Sequence, residues 1–239
     1  MEFYFTYILM GVILLPGIIY ASVVSARVNS AFKTYANVFS SKGITAEKAC
    51  EMILHNAGVR DVKIVKISGH LTDNYNPTNK TLSLSESVYG STSLSALGVA
   101  AHEAGHAIQH AQGYSLLKIR SLVGKVSNLA SSLLWPLIIV GIIFSALSMF
   151  DWGNIFLWGG VGFFSLSLIF SLVTLPVETN ASKRALNNLV ESNILDNTEV
   201  RGAKVVLNAA AKTYVAALVV SAIMLLRFVL SFLMVSRND

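Results

Sequence analysis

The stretch "AAHEAGHAIQH", residues 100–110, places two histidines and a glutamate within five residues of an otherwise apolar segment. His102, Glu103 and His106 match the pattern His-Glu-x-x-His. Positions i and i+4 lie on one face of an α-helix, so both imidazoles can reach one metal ion. Such a pattern also arises by chance, but these polar groups are costly to bury in an apolar segment without a partner. We therefore predict a zinc-binding helix from about Thr92 to Gln112.

The three motif residues divide the chemistry between them. His102 and His106 are predicted to bind zinc, and Glu103 lies beside them, where a carboxylate can take a proton from a metal-activated water. His110 lies about 12 Å along the helix axis from His102. Because zinc–nitrogen bonds are about 2.1 Å long, His110 cannot share the ion and is expected to have a supporting or surface role.

A catalytic zinc site with two histidines needs a third protein ligand. The acidic candidates outside the motif are Glu86, Glu178, Glu191 and Asp196. Glu178 is favoured because it follows Pro176 at the end of an apolar segment and is expected to open the helix "ETNASKRALNNLVE". Ser182 lies four residues on, shares the face of Glu178 and could support a histidine. Alternatively, Glu178 interacts only with the dipole at a helix N-terminus.

The composition of the chain is that of a membrane protein. Of its 239 residues, 54% are hydrophobic and 13% are charged, whereas a soluble domain carries about 25% charged residues. The net charge of +5 indicates membrane topology and lipid contact, so no nucleic-acid partner is expected. The single cysteine, Cys50, excludes an internal disulfide.

Four stretches are predicted to cross the bilayer, because a spanning helix needs about 20 apolar residues. They occupy residues 4–24, 133–149 (extending back to Val126), 155–177 and 213–235. The sequence "DWGN", residues 151–154, is expected to form the turn between the second and third spans. The first span lacks the basic start of a signal peptide and is interpreted as a retained anchor. Arg227 interrupts the fourth span, and it either reaches the interface or faces the bundle interior or a substrate path.

These features divide the chain into five predicted regions. They are an N-terminal transmembrane anchor (1–25), an α+β metallopeptidase region with the His-Glu-x-x-His helix (26–130), a transmembrane hairpin (131–177), a helical region with the third zinc ligand (178–212), and a C-terminal transmembrane helix and tail (213–239). Lys and Arg residues concentrate in 26–130 and 178–212, so both regions should face the cytoplasm and both termini should lie outside. The expected fold is a mainly α, multi-pass protein of the cell membrane, with four transmembrane helices and a small cytoplasmic α+β zincin-like domain.

Region 26–130 has its own secondary-structure signals. Residues 43–56 have the spacing of an amphipathic helix, capped by Thr45. The segments "VKIVKI" (62–67) and "KTLSLS" (80–85) predict strands, and the segment between them, 73–79, is rich in turn residues. The "TLSLS" strand offers an edge that an extended substrate could pair with, or it is an ordinary hairpin strand. Side chains that could stabilise an oxyanion, without a geometric argument from the sequence, are His70, Tyr75, Tyr89 and Arg184.

Two longer segments carry a resemblance to a known family. The segment "NPTNKTLSLSESVYGSTSLSALGVAAHEAGHAIQHAQGY", followed by two predicted spans and "LPVETNASKRAL", resembles the YugP-like neutral zinc metallopeptidases of bacterial membranes. The resemblance covers nearly the whole chain. More distantly, Glu178 is similar to the first residue of the Glu-x-x-x-Asp helix of gluzincins, with Ser182 in place of the aspartate. The resemblance implies a membrane zinc endopeptidase in which His102, His106 and Glu178 bind one zinc ion and Glu103 is the general base.

Two other functions stay open at this point. One is a non-catalytic zinc-binding membrane scaffold, although a structural site needs no general base such as Glu103. The other is a site-2-type intramembrane protease, although the motif helix is flanked by Ser, Gln, Lys and Arg residues. The expected partners are protein or peptide substrates and the lipid bilayer. A regulatory partner or a lid would explain how an open cytoplasmic protease spares its neighbours.

Overall fold

A computed structural model describes residues 11–147 and 149–235 of the chain. In this part, helices α1 and α2 precede three short strands, and four further helices follow. The elements are α1 (Leu15–Ala36), α2 (Ala46–Asn56), β1 (Lys63–Ile67), β2 (Asn74–Asn76), β3 (Thr81–Ser85), α3 (Leu94–Ala111), α4 (Ser115–Ala146), α5 (Phe150–Glu191) and α6 (Val200–Val235). The predicted mainly α fold with a small sheet is confirmed, as are the strands within 62–67 and 80–85.

The chain forms two compact units. The first comprises Met1–Val23, Ile119–Leu175 and Tyr214–Asp239, as far as these are described, and the second comprises Val24–Lys118 and Pro176–Thr213. The His-Glu-x-x-His motif and Glu178 both belong to the second unit. The functions assigned to the five predicted regions stay predictions.

Long apolar helices contribute most of the first unit. Large side chains such as Leu129, Ile155 and Leu172 are more than half exposed, as expected for a surface that faces lipid. Within the described residues, two helices are long and apolar enough to cross a membrane, namely Trp158–Glu191 and Val200–Leu230. The prediction of four spans is therefore corrected to two long apolar helices.

Parts of two predicted spans lie outside the described residues. Residues 4–10 lie outside the described residues, and so does Ser148 in the second predicted span.

Two predictions about helix boundaries are wrong. Because α4 ends at Ala146 and α5 begins at Phe150, residues 151–154 form the first turn of α5 rather than a turn between spans.

Helix α5 then continues past Pro176 to Glu191, so Glu178 lies inside a helix and does not open one. A proline removes one backbone hydrogen bond, but Val177 and Ala181 are completely buried beyond it, and this packing favours a continuous helix. The alternative that Glu178 serves only a helix N-terminus is excluded, because that effect is confined to the first turn.

The three strands of the second unit form one sheet with the order β1-β3-β2. Strand β1 pairs with β3 in parallel, and β2 pairs with β3 in an antiparallel arrangement. Of the two interpretations left open for "TLSLS", the free edge is therefore wrong, because β3 is the central strand and pairs with β1 along Thr81–Ser85 and with β2 along Thr81–Ser83. Segment 73–79, expected to be a turn, contains β2, whose Tyr75 packs against the buried core.

The core of the second unit lies between the sheet and helices α2 and α3. Helix α2 buries Ala46, Ala49, Cys50, Ile53 and Leu54, which confirms the predicted amphipathic spacing. Thr45 occupies the N-cap position, but its side chain forms no capping hydrogen bond. Helix α3 confirms the predicted motif helix, and the Ser93 hydroxyl caps it by accepting from the amide of Ala96.

Candidate metal centre

Helix α3 lies very close to α5 because small residues form the contact. A Cβ atom added to Gly105 would lie 2.7 Å from the carbonyl oxygen of Ala181, which is shorter than real Cβ contacts. Ala104 and Ala181 are completely buried. The glycine inside the motif therefore allows the two helix backbones to approach, and this approach brings the histidines of α3 to Glu178 of α5.

The predicted ligands converge on one point. The Nε2 atom of His102 lies 3.1 Å from Oε2 of Glu178, and the Nε2 atom of His106 lies 3.4 Å from the same oxygen. One ligand atom from each residue falls within 4.8 Å of the other two. Tetrahedral coordination with bonds of about 2.1 Å separates ligand atoms by roughly 3.4 Å. The spacing of the three side chains therefore fits one zinc ion.

Burial makes a cation favourable at this point. The side chain of Glu178 is 2% exposed, and that of His106 is 9% exposed. A buried carboxylate is stable only when it is paired or coordinates a metal. Two imidazoles and one carboxylate form a His₂Glu set, which leaves a fourth position open as in catalytic zinc sites. The donor set thus fits the metal that the motif predicts.

The Nδ1 atoms of both histidines also have partners, on the sides of the rings away from Glu178. Ser182 Oγ lies 3.1 Å from Nδ1 of His102, so the predicted support of a histidine by Ser182 is present. Nδ1 of His106 lies 3.0 Å from Oε1 of Gln109. Metal-binding histidines generally donate their second ring N–H to such a partner, which orients the ring.

Sequence reasoning did not identify Gln109. Its side chain is completely buried, and its Nε2 donates to the carbonyl oxygen of Val177 and to Oδ1 of Asn180, both at 2.9 Å. The only sequence signal was its position, since it follows His106 by three residues and so lies near the same face of α3. The partners on α5 could not be inferred without the tertiary structure.

Glu103, the predicted general base, is partly exposed on α3 beside His102. Its carboxylate does not belong to the cluster of ligand atoms, which comprises His102, His106 and Glu178 among the described residues. This separation is consistent with a role in proton transfer rather than in metal binding. The structure thus brings the three predicted ligands together, with the predicted base next to them in the chain.

The structure places the four oxyanion candidates in different surroundings. Arg184 donates from Nε to Asn180 and from Nη1 to Gln112, which connects it to the Nδ1 side of His106 rather than to the Nε2 side. Tyr75 Oη lies 2.9 Å from Nδ1 of His110, so these two side chains pair with each other. His70 packs against Phe32 with ring centroids 5.3 Å apart, and Tyr89 is exposed.

Comparison with known proteins agrees with this geometry. Residues 10–233 match the family described as "Putative neutral zinc metallopeptidase". A protein of Bacillus subtilis (strain 168), described as "Putative membrane protease YugP", is 42% identical over 207 residues, which cover 87% of this chain and 89% of that protein. No solved structure matches the chain significantly. The extent of both matches shows that this chain belongs to the neutral zinc metallopeptidase family.

Proposed function

We propose that this protein is a zinc-dependent membrane endopeptidase that hydrolyses peptide bonds of membrane or membrane-proximal proteins. The observation that carries the proposal is the convergence of His102, His106 and Glu178, whose ligand atoms lie within 4.8 Å of one another. The descriptions of the matching family and of the related protein support the same chemistry and the membrane location.

The side chains have separate tasks in the proposed reaction. His102, His106 and Glu178 would hold one zinc ion, since two imidazoles and one carboxylate are the ligand set of catalytic zinc sites. When bound, the ion supplies Lewis acidity towards the scissile carbonyl and the attacking water. Glu103 accepts the proton of that water and delivers it to the leaving amine. Its partial exposure gives it access to a bound peptide.

We further propose that the second unit faces the cytoplasm and that both termini lie outside the cell membrane. The Lys and Arg residues of regions 26–130 and 178–212 support this orientation. Membrane-impermeant thiol labelling tests it with a cysteine at Val38, a side chain that is 42% exposed. We expect labelling only in permeabilised cells. Labelling of intact cells would indicate the opposite orientation.

A site-2-type intramembrane protease is a poorer explanation of the structure. Helix α3 is not among the described helices that are long and apolar enough to span a membrane. It packs against α2 and the sheet. A non-catalytic zinc scaffold would retain the three ligands but would have no use for Glu103. These two alternatives therefore differ from the proposal in the location of the metal site and in the need for a base.

The decisive experiment measures zinc content and cleavage of casein or a fluorogenic peptide by the purified full-length protein in detergent. We expect about one zinc per chain and turnover that a chelator removes and added zinc restores. Bound zinc without cleavage of any membrane or peptide substrate would favour the scaffold.

A further inference from the structure

We infer that Gln109 is a positioning residue that sets the tautomer and ring orientation of His106 through a one-directional chain of hydrogen bonds starting at Arg184. This inference rests on the proposed function only in taking His106 as a metal ligand. It extends the site from three ligands to a buried network that connects α3 with α5.

The direction of the chain follows from its first member. A guanidinium can only donate, and Nε of Arg184 lies 2.8 Å from Asn180. The Asn180 atom at this contact must therefore be its oxygen. The same oxygen lies 2.9 Å from the Gln109 amide, so Gln109 must present its NH₂ group there.

A second contact requires the same orientation of the Gln109 amide. Its nitrogen lies 2.9 Å from the backbone carbonyl oxygen of Val177, which can only accept. Both N–H groups are thereby used, and Oε1 is left facing Nδ1 of His106 at 3.0 Å. An amide oxygen can only accept, so Nδ1 of His106 must carry the proton. In the neutral imidazole the lone pair is then on Nε2, the nitrogen that faces Glu178 and that would bind the metal.

His102 lacks a comparable constraint. Its Nδ1 contacts the Ser182 hydroxyl, which can either donate or accept. The geometry therefore fixes the tautomer of His106, whereas the partner of His102 permits both tautomers. Gln109 is completely buried and His106 is 7% exposed, so water has little access to this contact.

The test compares two substitutions of Gln109 in the full-length protein. Gln109→Leu removes the acceptor for His106, whereas Gln109→Glu keeps an acceptor oxygen and loses the donated bonds to α5. Partners of this kind typically contribute 10–100-fold in metal affinity. We expect the zinc Kd, from chelator competition, to rise about 10–100-fold for Gln109→Leu and to stay near the parent value for Gln109→Glu.

A second readout follows the tautomer itself. In metal-free protein labelled with ¹⁵N-histidine, the parent should show His106 with Nδ1 protonated, and Gln109→Leu should show a mixture of tautomers. Asn187→Leu is the matched control, since this amide is exposed on the same helix α5. Neither its zinc Kd nor the His106 signal should change.

Several outcomes would overturn the inference. An unchanged zinc Kd and an unchanged His106 tautomer in folded Gln109→Leu would contradict it. Equal losses of zinc affinity in Gln109→Leu and Gln109→Glu would also contradict it, because they would indicate a role in helix packing alone. If Gln109→Leu does not fold, Gln109→Met decides, because it also removes the amide oxygen that accepts from His106 while keeping the length of the side chain. An unchanged His106 tautomer in that folded variant would contradict the inference.

The readouts separate this inference from the proposed peptidase activity. Zinc binding that depends on Gln109, in a protein without turnover, would retain the inference and refute the proposed function. Zinc-dependent turnover, with a zinc Kd that does not change when Gln109 is replaced, would support the proposed function and refute this inference.

Discussion

Residues of the motif that are neighbours in the chain have different environments. His106 is nearly buried and faces Glu178, whereas Glu103 is partly exposed and lies outside the cluster of ligand atoms. The difference follows from the helix, because adjacent residues project about 100° apart while positions i and i+4 share a face. One turn of helix can therefore supply both a metal-binding face and a proton-transfer group beside it.

Replacing Glu103 by glutamine tests this division of roles. The amide keeps the shape of the side chain but cannot accept the proton, and general acid–base catalysis typically contributes about 10²–10⁴-fold. We expect kcat of peptide cleavage to fall by that factor while zinc content stays at the parent level. Glu51→Gln is the control, since this exposed residue pairs with Lys48. Parental turnover in zinc-loaded Glu103→Gln would exclude the assigned role.

Cys50 provides a second test at the scale of one residue. Burial raises the pKa of its thiol well above the ordinary value, with a smaller contribution from the negative charge of Glu103, and its Sγ contacts the carbonyl oxygen of Ala100 at 3.2 Å. Because the thiolate is the reactive form, we expect no labelling of native protein at pH 8 and full labelling after denaturation. As a control, a cysteine placed at exposed Val38 should react at once in the native protein. Rapid labelling of Cys50 in the native protein would contradict the described packing of α2 on α3.

At the scale of elements, the site depends on the approach of α3 to α5. Glu178 reaches the histidines from the interior of a continuous helix, and Gly105 removes the side chain that would keep the two backbones apart. Helix faces lined by small residues allow such close contacts. The candidate metal site is therefore a property of the pair of helices rather than of the motif helix alone.

Gly105→Ala should disturb this pair. The added Cβ would lie 2.7 Å from a backbone oxygen that has no flexible way to move aside, and overpacking of this kind costs about 1–3 kcal/mol. We expect a lower free energy of unfolding and weaker zinc binding, measured by denaturation and chelator competition. Gly162→Ala is the matched control, because a Cβ on this helical glycine meets nothing within 4 Å. Parental zinc affinity in Gly105→Ala would show that the close approach is not required.

At the scale of the molecule, apolar helices and a cluster that could hold a metal ion occur in one chain. Helices Trp158–Glu191 and Val200–Leu230 are long and apolar enough to span a bilayer, and Glu178 follows the long apolar stretch of the first of these helices. This arrangement in the sequence suits a protease whose substrates are held at or near the membrane.

A charge placed in the apolar helix tests its proposed membrane location. Leu172 is 52% exposed, and an arginine at the centre of a spanning helix costs about 2.5–3.5 kcal/mol for insertion. We expect Leu172→Arg to lower the amount of protein that resists alkaline carbonate extraction. Val38→Arg, at a side chain exposed outside the two candidate spans, should leave extraction unchanged. Equal extraction of both variants and the parent would argue against a spanning helix at Leu172.

The sequence by itself determined the features that depend on local spacing. Residues close together in the chain determine the helical period of α2, the strands within 62–67 and 80–85, the motif helix, and the position of His102 and His106 on one helix face. Glu178 was identified through its position after an apolar segment and through family resemblance, although the expected helix boundary at Pro176 was wrong. Local patterns cannot show whether packing further along a helix outweighs the one hydrogen bond that a proline removes.

Only the tertiary structure decided which distant groups meet. The central position of β3 depends on pairing with two other strands, and the chain from Arg184 through Asn180 and Gln109 to His106 joins two helices. Hydrogen bonds are directional and short-ranged, so they depend on a close approach of backbones that no local pattern reports. That approach rests on Gly105 meeting Ala181, a contact between residues 76 positions apart in the chain, the same separation as between His102 and Glu178.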